Sequence, residues 1–140
     1  MYCKACHDAN TAIPGMVRTL HDFDRTDTHA KLAQNFNGIV KCHPQKTTAC
    51  SVKSVLPNKY MYSDSIEGPE DQPTSCVYDL SVASNSDNEM LKNCAHRGEI
   101  VRFHRLWPTT NKWVFCGYYS VAIIPGLNAV RLTLVYGGNK

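Results

Sequence analysis

Long apolar runs are missing from this chain of 140 residues. None approaches the ~20 consecutive apolar residues that a membrane-spanning helix requires, so the expectation is a soluble protein with no membrane partner. The N-terminal MYCKACHDAN has no basic segment leading into an apolar stretch. That omits the marks of a secretory signal and makes an intracellular location the default expectation. A strong charge imbalance is missing too: fifteen Lys and Arg stand against twelve Asp and Glu, a formal charge of +3. Such a balance permits a nucleic-acid partner without demanding one. There is no internal repeat and no low-complexity segment, which excludes repeat architectures.

Cysteine is the residue in surplus. Seven are many for an intracellular chain of this length, and the odd count fits poorly with a closed set of disulfides. Reduced thiols, with or without a metal, are the expected state. Cys3-Lys-Ala-Cys6-His7 matches a haem-attachment spacing, but no helical haem-binding core accompanies it. Zinc is the stronger metal reading, with Cys3 and Cys6 at knuckle spacing and Cys42-His43 or Cys50 to complete a tetrahedral site. The second half offers no clean C-x-x-C, and no cofactor is required by anything else in the chain. Asp22, Asp24 and Asp27 lack the glycine and terminal Glu of a calcium loop and read as a solvated turn.

Apolar residues at 43% and charged residues at 19% describe a globular chain, and the length suits one domain with elaborations. Residues 1–26 read as irregular, and 27–36 (DTHAKLAQNF) as a short helix stopped by Asn37-Gly38. Residues 47–56 (TTACSVKSVL) alternate in the manner of a strand and end at Pro57. Then comes a long connection, 58–75, whose glycine, two prolines and four acidic residues argue against a packed element. The segment 76–84 is the next strand, SNSDN after it reads as a turn, and 99–107, 113–124 and 129–138 are strands rich in β-branched and aromatic residues. Five or so strands and one helix at most predict a small β-barrel or sandwich.

One stretch narrows this. Gly98-Glu99-Ile100-Val101-Arg102-Phe103-His104-Arg105-Leu106 resembles the GDIVRFHRL strand of the protection-of-telomeres and telomere end-binding proteins, departing only in Glu99 where that family has Asp. The resemblance implies a five-stranded Greek-key OB-fold barrel over 47–140, with 1–46 as a partly helical extension packed on it. Only residues 87–97 precede this strand after the turn, which is short for that family's third strand plus connecting helix. The segment 107–128 is longer than a simple loop, so 117–124 is expected to continue a hairpin.

The implied function is non-catalytic binding of single-stranded telomeric DNA, in the nucleus at chromosome ends, with other telomere proteins as further partners. In an OB barrel one side of each strand fills the core and the other faces the binding groove. Val101 and Phe103 are expected inward, Arg102 and His104 outward, with a bulge able to turn Arg105 outward instead. Cations that follow the DNA backbone and rings that stack on bases are what single-strand binding uses. The candidates are Lys53, Lys59, Tyr60, Tyr62, Arg102, His104, Arg105, Trp107, Lys112 and Trp113, with Tyr60, Tyr62, Trp107 and Trp113 as the stacking rings. Against this stands a plainer reading in which Trp113, Phe115 and Tyr119, two and four residues apart, form a core stripe. Two other functions remain open: an OB-fold docking module for protein partners, and a hydrolase built on Cys94 and His96.

Overall fold

The computed structural model describes residues 37–40, 45, 47–55, 63–81, 85–107 and 112–137. Among them are seven strands and one helix: β1 (Gly38–Val40), β2 (Ser51–Ser54), β3 (Ser65–Glu67), β4 (Ser75–Asp79), α1 (Asn85–Arg97), β5 (Val101–Trp107), β6 (Lys112–Ile123) and β7 (Ala129–Gly137). The strands form one mixed sheet in the order β1-β2-β5-β6-β7-β4-β3. The protein is therefore mainly β, as its composition of strand formers predicts.

The long β5, β6 and β7 make an antiparallel meander, because each is rich in aromatic and β-branched residues and each is closed by turn chemistry. Gly126 takes the left-handed conformation (φ 81°) in the Pro125-Gly126 turn between β6 and β7. β2 joins β5 in parallel, Val52 beside Phe103, and β1 closes that edge as an antiparallel strand. The main core lies on one face of this sheet, where Ile39, Val52, Val101, Phe103, Tyr119 and Leu132 meet Leu91 and Cys94 of α1.

Several expectations change. Seven strands replace the five of the Greek-key barrel, for two reasons. Gly38–Val40, assigned by sequence to the extension, pairs with β2. Residues 65–67, assigned to the connection 58–75, pair with β4. Both prolines of that connection and two of its four acids, Glu70 and Asp71, come after β3 and leave Ser-Ile-Glu free to extend.

The SNSDN turn is overturned as well, since Asn85–Arg97 is a helix of thirteen residues. Asn, Ser and Asp favour turns and helix starts alike, through side-chain bonds to nearby backbone N–H groups. The helix ends in a Schellman arrangement: Gly98 has φ 66°, its N–H reaches Ala95 O (3.4 Å), and the Glu99 N–H reaches Cys94 O (3.0 Å). The helix is thus present before β5, and among the described residues no strand lies between β4 and it. The predicted helix 27–36 lies outside the described residues.

Candidate nucleic-acid interface

β5 carries the residues on which the sequence argument turned, and strand alternation sorts them. Val101 and Phe103 sit wholly buried in the main core, with Phe103 edge-on to Tyr119 at 5.1 Å between ring centroids. Arg102 and His104 take the opposite face, as expected. That face is not open: Arg102 is 0% exposed and His104 1%. Its chemistry is a packed layer of cations and rings. The Arg102 guanidinium lies 4.7 Å from the Phe115 ring centre, His104 tilts against the same ring at 5.1 Å, and Phe115 meets Tyr118 edge-on at 5.5 Å. A guanidinium over an aromatic face keeps favourable electrostatics while shedding water, which offsets part of the cost of burying Arg102. Lys53, opposite His104 in the parallel ladder, is buried on the same grounds of register.

Arg105 shares the side of Val101 and Phe103, because the irregularity in the β5–β6 ladder falls on β6 and not on β5. Phe103 pairs with Gly117 and His104 with Phe115, leaving Cys116 as the extra residue. The Arg105 side chain reaches the connection between β3 and β4, donating to Glu70 O at 2.5 Å. Tyr119 Oη donates to Pro73 O at 2.6 Å and fastens the same connection. The bulge also undoes the stripe expected through Trp113, Phe115 and Tyr119. Phe115 packs with Tyr118 on one face and Tyr119 belongs to the core on the other.

Of the ten proposed contact residues, then, Lys53, Arg102, His104 and Arg105 are buried and not displayed in an open groove. The backbones of Trp107, Lys112 and Trp113 lie at the end of the β5–β6 hairpin, where Trp107 pairs with Lys112 and Leu106 with Trp113. Lys59, Tyr60 and Tyr62 lie outside the described residues, as do Cys3, Cys6, Cys42 and His43 of the zinc reading. Cys50, the remaining zinc candidate, is buried, and among the described residues no group of three His, Cys, Asp or Glu is placed to hold a metal ion. Cys94 is buried in the core with its thiol toward Ala49 O (3.5 Å), whereas His96 is exposed, so the structure does not bring that pair together.

A site that the sequence did not single out closes the sheet on itself. Asp64, directly before β3, accepts hydrogen bonds from Asn37 Nδ2 (2.5 Å), Ser54 Oγ (2.5 Å) and the Asp79 N–H (2.7 Å). These donors stand beside or on β1, β2 and β4, elements from opposite ends of the strand order. One carboxylate therefore stitches the two ends together, and Tyr78 Oη adds bonds to Gly38 O (3.2 Å) and Lys53 O (2.8 Å). Burial raises the Asp64 carboxyl above its ordinary value, partly offset by the Ser54, Asp79 and Asn37 bonds. For Asp79, burial pushes upward but the Ser81 hydroxyl, the Ser81 N–H and the Ser63 N–H outweigh it and hold the group below its ordinary value. The result is a barrel-like sheet with a polar seam between the two ends of its strand order.

No protein-family model matches the chain, and no curated protein matches it in sequence. Solved structures do match in shape. An SRA domain of SUVH5, crystallised with hemimethylated CG DNA, aligns over 89% of this chain and 94% of its own at 17% identity and a TM-score of 0.52. The likeness is one of fold. The same domain with fully methylated CG DNA gives 17% identity over 89% and 95% of the two chains, with a TM-score of 0.49.

Proposed function

We propose that this chain is a DNA-binding module that works by contact and not by catalysis. The observation that carries the reading is the SRA-like fold, followed over 89% of the chain, in a protein whose solved relative in shape was captured on hemimethylated CG DNA. Double-stranded DNA containing a CG step is accordingly the first ligand, with its methylation state as the variable. The formal charge of +3 suits a phosphate partner. Lys59, Tyr60, Tyr62, Trp107, Lys112 and Trp113 remain as the proposed contacts, with the cations and rings that such contact uses.

A second reading keeps the telomeric single strand, and with it a place at chromosome ends in the nucleus. What favours it is GEIVRFHRL itself, with Val101 and Phe103 in the inward positions that the resemblance requires. What weighs against it is the burial of Arg102 and His104, the residues meant to meet the DNA.

Fluorescence anisotropy on the full chain separates these readings. The probes are a hemimethylated CG duplex, the same duplex unmodified, G-rich and C-rich telomeric single strands, and a scrambled strand. The expected result is duplex binding that weakens steeply with salt. A telomeric strand bound well above the duplexes and the scrambled strand would replace the first reading with the second. Absence of binding to every probe at low salt would leave a protein-docking module, whose interface should be far less sensitive to salt.

A further inference from the structure

If the cations of β5 are buried, a DNA-binding module needs positive charge elsewhere on its surface. The described residues place it on one element. Lys92 is half-exposed on α1, and His96 and Arg97 are exposed in its last turn. None of the three side chains takes part in an ion pair or a side-chain hydrogen bond. Glu99, the carboxylate that follows Arg97 most closely, accepts from Thr48 Oγ1 at 2.8 Å. Outside α1, the exposed acids among the described residues, Glu67, Glu70 and Asp71, lie on and after β3, and Arg131 lies 4.0 Å from Glu67. Glu89 is the one exposed carboxylate on α1.

Helix geometry turns these residues into a ridge. Lys92 and His96 are four apart and stack on one stripe, and Arg97 stands about 100° further round. From Lys92 to Arg97 the axial rise is about 7.5 Å, on the scale of the ~3.4 Å of duplex axis between successive phosphates of one B-DNA strand. Cations at a helix C-terminus also complement the helix dipole. That accounts for their tolerance there but not for three donors with no acceptor among the described residues. Leu91 and Cys94, on another side of the helix, are buried in the main core and hold α1 on the sheet.

We propose that the C-terminal half of α1, through Lys92, His96 and Arg97, contacts nucleic-acid phosphates. The assignment rests on the DNA-binding reading above. It is a backbone contact and predicts no preference for base sequence.

The test uses the full chain and a labelled CG-containing duplex of about 20 base pairs, with affinities measured from 50 to 200 mM salt. The variant Lys92→Gln/Arg97→Gln keeps good helix formers on an exposed face, so it should melt with the wild type. It should bind every duplex more weakly and flatten the slope of log K against log salt by about 1.8 units, at ~0.9 per phosphate contact. His96→Gln should weaken binding in the same sequence-independent way. Arg131→Gln, beside Glu67, should leave the slope unchanged. If the wild type binds and the double variant binds identically, the ridge is wrong and the DNA reading stands. A loss confined to one sequence would also overturn a phosphate role. If the wild type binds no DNA at any salt, both fall together.

Discussion

Removing the Asp64 carboxylate should open the seam that closes the sheet. Asp64→Ala withdraws the acceptor from Asn37 Nδ2, Ser54 Oγ and the Asp79 N–H at once. All three donor residues are buried, Asn37 at 4%, Ser54 at 0% and Asp79 at 7% exposure. A buried donor stripped of its partner costs about 1–3 kcal/mol, so three set an upper limit of roughly 3–9 kcal/mol if none finds a substitute. Two effects reduce it. The Ser54 hydroxyl can rotate, and Asp64 is itself only half-buried, so water can enter the space. The variant is also relieved of the penalty for a buried carboxylate. A net loss of about 2–4 kcal/mol remains. Urea unfolding followed by tryptophan fluorescence would read it as a lower midpoint at unchanged slope. Asp64→Asn retains an acceptor for the Asp79 N–H and should lose less than Ala. A loss below about 0.5 kcal/mol for Asp64→Ala, the range of ordinary surface changes, would show that the seam is not held by this group.

Phe103→Ala empties a wholly buried core position against Tyr119 and should cost ~3–5 kcal/mol in the same assay; a change within error would mean that the strand faces are reversed. Gly68→Ala should destabilise by more than the ~1 kcal/mol of an ordinary glycine substitution, because φ is 91° and the new Cβ would lie 2.8 Å from the Thr74 backbone N. A variant as stable as wild type would refute the tight turn at the end of β3. Asp64 also sets a pH dependence. Its folded value is raised, so the folded state favours the protonated form. The stability it contributes relative to Asp64→Asn is then fullest below the ordinary carboxylate value of 3.8 and declines as pH rises through the raised value. Asp79 acts in the opposite sense, with stability lost as pH falls through its lowered value. Urea titrations of both Asn variants at stepped pH would expose an error of sign in either.

The meander of β5, β6 and β7 was legible because its strands carry a local signal, dense aromatic and β-branched residues between strong turns. The inward placement of Val101 and Phe103 was legible for the same reason, since alternation is local. That alternation already assigned Arg105 to their side, and only the search for exposed cations turned it outward. Other features had no local signature. The bulge at Cys116 moves Tyr119 to the face opposite Phe115, and nothing in WVFCGYYS announces it beyond a glycine. The helix Asn85–Arg97 carries few large apolar residues, chiefly Met90 and Leu91, so its periodic face is faint. Asp64 looked like one more acid in a solvated connection. Its burial comes from Asn37, twenty-seven residues earlier, and from Asp79, fifteen later, and such contacts exist only once the sheet has curved.

The basic residues of β5 have roles inside the fold. Arg102 and His104 share the Phe115 ring, and Arg105 reaches the backbone of the β3–β4 connection. Arg102 and His104 pack across the β5–β6 pairing, and Arg105 ties β5 to the β3–β4 connection. Cations placed in this way are costly to withdraw, because exposing Arg102 to a phosphate would mean giving up its contact with Phe115 and opening a face that is now closed. A nucleic-acid ligand recruited by β5 would have to pay for that rearrangement out of its own binding energy, whereas one recruited by α1 would meet donors already in water. The same positive charge therefore divides by position: on β5 it belongs to folding, and on the outer stripe of α1 it is free to belong to binding.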